Sequence, residues 1–302
     1  MSQESGAAMP QAAGAPPQRA SRTHAMTVDV EDWFQVWALS GVIAREDWDG
    51  HALRVEAATD RLLERLAARG HHATFFTLGW VAERAPGLVR RIAEQGHEVA
   101  SHGYEHVKAF DQDEAAFRAD VTRTKTILED VTGAPVRGYR AAGFSFDART
   151  PWAHRVLAET GHAYSSSSHP ITHDHYGDPN APLTPHLIDG LPEIPVAVAE
   201  SRGRRRTMGG GGWFRAAPLA RSRRQWQALE AEGRRGVFYL HPWEVDPGHP
   251  MPRGVPIKSR VRHRLGQSRM LTKWDAMLTG FAWDRMDRVF ADVIEPDARA
   301  AA

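Results

Sequence analysis

The stretch DRLLERLAARGHHATFFTLG, residues 60–79, decides the fold. Leu62, Leu63 and Leu66 form a one-sided stripe at helical spacing, Gly70 stands where a helix C-terminus favours positive φ, and the Thr/Phe run that follows reads as a buried strand. The same order recurs in GLVRRIAEQG/HEVASH (87–102), VTRTKTILEDVTG/APVRGYR (121–140), HRVLAETG/HAYSS (154–166) and WQALEAEGRRG/VFYLHP (226–242). Strands alternating with amphipathic helices imply a parallel sheet, open or closed into a barrel. In such a sheet the C-terminal ends of the strands lie on one face, where active sites are assembled.

Those ends carry the chemistry. In MTVDVEDWFQV, residues 26–36, Asp29, Glu31 and Asp32 crowd three carboxylates into four positions after an apolar β-branched run. Along a strand Asp29 and Glu31 share a side, and two carboxylates on one side repel unless a cation lies between them or one stays protonated. Asp32 also suits a helix N-cap. Further along come Thr77, then His102 and His106 in SHGYEHV, then Arg140, the serines of YSSSSHP, and finally His241 and Glu244 in YLHPWE. If SHGYEHV is helical or tightly turned, His102 and His106 reach the same side, and two His with one carboxylate is a usual set for a catalytic metal with an open position.

Composition narrows the field. The 302 residues carry a net charge of +1, so no whole-molecule field argues for nucleic acid. Cysteine is absent, which leaves nitrogen and oxygen as the strong metal ligands. Residues 1–22 are rich in Ala, Gly, Pro and Gln and read as a disordered tail without a secretory h-region. No stretch has the apolar length of a membrane span, and the expected location is cytoplasmic. EIPVAVA (193–199) reads as a strand, GGGG (209–212) as a flexible link, and WDRMDRVFADVI (283–294) as a closing amphipathic helix.

The ordered motifs resemble those of the polysaccharide deacetylases, the NodB-homology or carbohydrate esterase family 4 group, and more narrowly a branch associated with exosortase and exopolysaccharide gene clusters. The similarity spans roughly residues 24–292. It implies an α/β fold, a distorted, incomplete (β/α) barrel over residues 23–292, with 245–292 as a C-terminal extension packed on it and 293–302 as a flexible end. It also implies a divalent metal, Zn²⁺ in the first instance, held by His102, His106 and a carboxylate. The usual first motif has two adjacent Asp, and Val30 fills the second place here, so that carboxylate is Glu31 or Asp32, with Glu31 favoured because it shares a face with Asp29. By the same resemblance Asp29 is the base, Arg140 orients it, His241 assists the leaving group, and a backbone N–H near Gly143 or Phe144 receives the oxyanion. Trp33, Phe144 and Trp243 are the expected substrate contacts. The Asp that usually tunes the final His is replaced by the run Ser165–Ser168, and Asp174 is the nearest substitute in the sequence.

The implied activity is removal of N-acetyl groups from amino sugars of a polysaccharide or lipid-linked glycan. Three other readings compete: hydrolysis of a formyl or cyclic ureide amide on the same fold, a non-catalytic carbohydrate-binding protein, and an Fe(II) oxygenase built on two His and a carboxylate. The last gives Arg140 and His241 no role.

Overall fold

The computed structural model describes residues 23–172, 177–201 and 203–296. The expected tail at 1–22, Asp174, Arg202 and the last residues, 297–302, lie outside the described residues.

The strands are β1 (Thr23–Val30), β2 (Thr74–Thr77), β3 (Glu98–Ser101), β4 (Gly138–Tyr139), β5 (Tyr164–Ser165), β6 (His186–Ile188), β7 (Leu191–Glu193), β8 (Val198–Ser201), β9 (Arg204–Thr207), β10 (Val237–Leu240) and β11 (Ala282–Asp284). The helices are α1 (Val55–Arg69), α2 (Gly79–Arg84), α3 (Pro86–Glu94), α4 (Glu114–Thr132), α5 (Ala153–Glu159), α6 (Gly211–Ala216), α7 (Leu219–Ala231), α8 (Ile257–Arg264), α9 (Gln267–Gly280), α10 (Met286–Val289) and α11 (Ala291–Ile294). Among the described residues nine strands form one sheet in the order β10-β1-β2-β3-β4-β5-β7-β6, with β11 pairing β1. Every pairing in it is parallel except β6 with β7. The result is a curled, open half-barrel clad in helices.

The repeated unit folds as its pattern dictates. Leu62, Leu63 and Leu66 are buried on α1, which stops at Gly70 with φ 65°; α4 stops in the same way at Gly133, φ 66°. A residue with a Cβ resists that left-handed conformation, so glycine closes each helix and releases the chain into the next strand. The β1–β10 register pairs Val28 with Leu240, which sets Asp29 and His241 side by side just beyond the ladder.

Three local expectations are corrected. EIPVAVA is not one strand: Glu193 ends β7, Val198 opens β8, and residues 194–197, which include Pro195, belong to neither. In WDRMDRVFADVI the first residues form β11 against β1, and two four-residue helices follow instead of one. GGGG is no loose link, because Gly210 bridges Tyr239 and a Cβ there would lie 1.8 Å from the Tyr239 carbonyl oxygen. Among the described residues no helix is long and apolar enough to cross a membrane.

Candidate active site

Asp29, Glu31, His102, Arg140 and His241 all reach the C-terminal end of the sheet, and the network begins with Arg140. Its guanidinium is fully buried and lies over Phe76. Nη1 donates to Asp29 Oδ1 at 2.6 Å and to Thr27 Oγ1 at 2.7 Å, while Nε and Nη2 donate to the carbonyl and hydroxyl of Ser166 at 3.0 and 2.9 Å. Burial alone would raise the Asp29 pKa, but Arg140, with His102 and His241, holds it below the ordinary carboxylate value. Asp29 is therefore an ionised carboxylate with one oxygen anchored. The serine run supplies the anchorage: Ser167 Oγ accepts from the Ala141 N–H at 2.9 Å, and buried Glu193 accepts from the N–H groups of Ser167 and Ser168.

SHGYEHV is a loop, not a helix. Gly103 at φ 76° and His106 at φ 56° bend it, and a histidine in the left-handed region is a strained residue of the kind that clusters at functional sites. The bend brings the two rings to 5.2 Å between centroids. His102 Nδ1 lies 2.8 Å from the Arg140 carbonyl oxygen, so it carries the proton and donates, leaving Nε2 with a free lone pair. Burial lowers the His102 pKa to about 4, which keeps the ring neutral. Glu31 Oε1 accepts from Trp243 Nε1 at 3.0 Å; Oε2 is buried without a hydrogen bond, 3.1 Å from His106 Nε2. Among the described residues no group of three or more His, Asp or Glu is already drawn together as a metal site. The donors nonetheless fit one in kind: a neutral imidazole in the ligating tautomer, a second imidazole, and a buried carboxylate oxygen with nothing else to bond.

His241 faces this group from β10. Its Nε2 is 3.9 Å from Asp29 Oδ2 and 3.7 Å from Glu31 Oε1. Behind it, Glu244 Oε2 accepts from the His241 backbone N–H at 3.0 Å and lies 3.2 Å from Nδ1, and Glu244 Oε1 forms an ion pair with Arg215 Nε at 2.7 Å. Burial would lower the His241 pKa, but the bond to Glu244 and the charges of Glu31, Glu244 and Asp29 push it up to about 9. Burial would likewise raise Glu244, and Arg215 and His241 hold it down instead. Glu244 thus occupies the place of the tuning acid sought at Asp174. The sequence signal was its position three residues after His241, a capping-box spacing; nothing local pointed to Arg215.

Four expected contacts are corrected. Asp32 is no metal ligand: its oxygens accept from the backbone N–H groups of Trp33, Arg54 and Val55 at 2.8, 2.7 and 2.9 Å. Trp33 is 3% exposed and packs on Phe34, His51 and His249, so it is core. Trp243, 7% exposed, stacks on His241 and on His263 and offers no free ring to a sugar. Phe144 is 5% exposed against Tyr239, and its N–H is committed to the Ala141 carbonyl at 3.0 Å, which leaves Gly143 as the candidate oxyanion donor.

Residues 48–165 match the polysaccharide deacetylase family model. That segment is similar to the polysaccharide deacetylases. That segment holds His102, His106 and Arg140, whereas residues 166–291, which hold Arg215, His241 and Glu244, match a domain of unknown function, DUF3473. A peptidoglycan-N-acetylglucosamine deacetylase of Bacillus cereus is 36% identical over 25% of this chain and 27% of its own length. A chitooligosaccharide deacetylase of Sinorhizobium fredii is 46% identical over 16% of this chain and 22% of its own. The chain thus spans about a quarter of the length of these relatives. A crystal structure from Mycobacterium smegmatis, assigned as a polysaccharide deacetylase, superposes with a TM-score of 0.59 and 24% identity over 96% of both chains. The two matched segments therefore share one known fold, the curled half-barrel.

Proposed function

We propose that the protein is a metal-dependent hydrolase that removes N-acetyl groups from amino sugars of a polysaccharide or lipid-linked oligosaccharide, within exopolysaccharide biosynthesis. The observation that carries the reading is the pair Asp29 and His241, 3.9 Å apart and poised oppositely, one an ionised base and the other a protonated acid. Glu31, His102 and His106 would hold the ion, zinc in the first instance. When bound, it supplies Lewis acidity to the attacking water and to the acyl oxygen.

The chain's own residues do the rest. Asp29 Oδ2, the oxygen not tied to Arg140, takes the proton of the water as its oxygen bonds to the acyl carbon. Arg140 keeps that carboxylate aimed, and the Gly143 N–H is the backbone donor assigned to the acyl oxygen as it gathers charge. His241 Nε2 then gives its proton to the amine nitrogen as the C–N bond breaks, releasing acetate and a free amino sugar. Peptidoglycan and chitooligosaccharide fragments, the glycans named for its relatives, are the first substrates to try.

Acetate release from a panel of N-acetylated oligosaccharides, with N-formyl analogues beside them and with and without chelator, tests the reading. Acetate that disappears with chelator and returns with zinc is expected. Formate alone would move the reading to the other amide, and sugar binding without release of either acid would make the protein a binder.

A further inference from the structure

Helix α8 turns an apolar stripe outward. Ile257, Val261 and Leu265 are 80%, 55% and 48% exposed, whereas His263 on the same segment is buried. At 3.6 residues per turn the three aliphatics fall within about 80° of arc, opposite His263, and cover about 12 Å of length. Cations border the stripe: Lys258 and Arg262 follow one edge, Arg260 the other. Between Asp246 and Asp275 the sequence has seven Lys and Arg and no acidic residue, in a chain whose net charge is only +1. Arg253, Lys258 and Arg260 form no ion pair among the described residues.

The helix also lies close to the site. From the inner side of the helix His263 stacks on Trp243 at 4.4 Å and 10°, and Trp243 Nε1 donates to Glu31, so the helix is linked to the carboxylate through two stacked rings. The 3₁₀ turn Trp37–Leu39, which carries the 43% exposed Trp37, packs against α8.

We propose that α8 is an in-plane anchor that seats the protein on the surface of an anionic phospholipid bilayer, its aliphatic stripe entering the headgroup boundary and its bordering cations meeting lipid phosphates. Charge complementarity selects this occupant. A second copy docked symmetrically through the stripe would set arginine against arginine. A polyanionic glycan has use for the cations and none for three exposed aliphatics.

Flotation of the full chain with vesicles of phosphatidylcholine alone, and of phosphatidylcholine mixed with phosphatidylglycerol, reads this without turnover and so stands or falls separately from the reaction proposed for the site. Capture by the anionic vesicles at least about tenfold above the neutral ones is expected at low salt. The exposed triple variant Ile257→Ser/Val261→Ser/Leu265→Ser should lose about tenfold or more of that capture, and Lys258→Gln/Arg260→Gln should erase the anionic preference. Should the triple variant melt early, Ile257→Ser alone carries the same test at the most exposed position. No capture by either vesicle overturns the proposal. So does capture indifferent to the aliphatic variants, which would indicate a polyanion site, or a dimer in sedimentation that these variants dissolve while vesicle capture persists.

Discussion

Replacing Glu244 by Gln removes one charge from behind His241 and changes little in shape. In the structure the Glu244 carboxylate lies 3.2 Å from His241 Nδ1 and pairs with Arg215 at 2.7 Å, fully buried. A hydrogen bond to a charged partner is worth about 1.5–3 kcal/mol against about 1 for a neutral one, so the imidazolium loses about 1–2 kcal/mol of support. At 1.36 kcal/mol per pKa unit, its pKa falls from about 9 by roughly one unit or slightly more. The sign follows from the role: His241 gives a proton only while it holds one, so a raised pKa extends activity upward in pH and a lowered one cuts it short. The alkaline limb of kcat for Glu244→Gln should therefore move to about pH 7.5–8, with turnover at pH 9 down about tenfold, turnover at pH 6 near wild type, and KM little changed. Arg215 left unpaired should also destabilise the fold by about 3 kcal/mol, measured separately by denaturant unfolding. An alkaline limb that stays at pH 9 in the folded variant would refute the assignment of Glu244 as the residue that poises His241.

Asp29→Asn should cut kcat by about 100-fold or more with KM and metal content retained, checked by acetate release and metal analysis; retained activity would move the base elsewhere. The acid limb of the wild-type profile should lie below the ordinary carboxylate range, because the Asp29 pKa is lowered and its base form persists into acid. Metal analysis of His102→Ala and His106→Ala should show loss of the ion from each, and full retention in both would place it away from these residues. Asp32→Ala should leave metal content intact while costing about 3 kcal/mol in denaturant unfolding, since it strips acceptors from the N–H groups of Trp33, Arg54 and Val55.

What was legible in the sequence was what repeats or ends locally. The stripe of Leu62, Leu63 and Leu66 and the glycine at 70 give helix, stop and strand within one window, and several such windows give the sheet. Strand ends then place Asp29, His102, Arg140 and His241 on one face without further knowledge. What escaped depends on distant chain. Ser166 holds Arg140 from just beyond the end of β5, and Arg215 reaches Glu244 from α6. Asp32 stood as the second choice for the metal carboxylate and as a helix N-cap, and only the amides of Arg54 and Val55, from the start of α1, decide it. Trp33 and Trp243 beside a strand end look the same whether they face a sugar or a histidine, because burial is a tertiary property. Trp283 in an amphipathic-looking run went to a strand because the first residues of β1 had a ladder position to fill.

The register that pairs Val28 with Leu240 gives Asp29 and His241 a common ruler. Their spacing is one inter-strand step, about 4.8 Å, however much chain is spliced between them. Segments inserted between residues 166 and 236 can therefore diversify what the protein meets without retuning the proton transfer. The seam between the two family models, at residues 165 and 166, falls between Asp29 and His241 in the chain and cuts through the sheet that holds both. A gene cut there would yield one fragment with a base and no acid, another with an acid and no base, and a torn sheet edge on each.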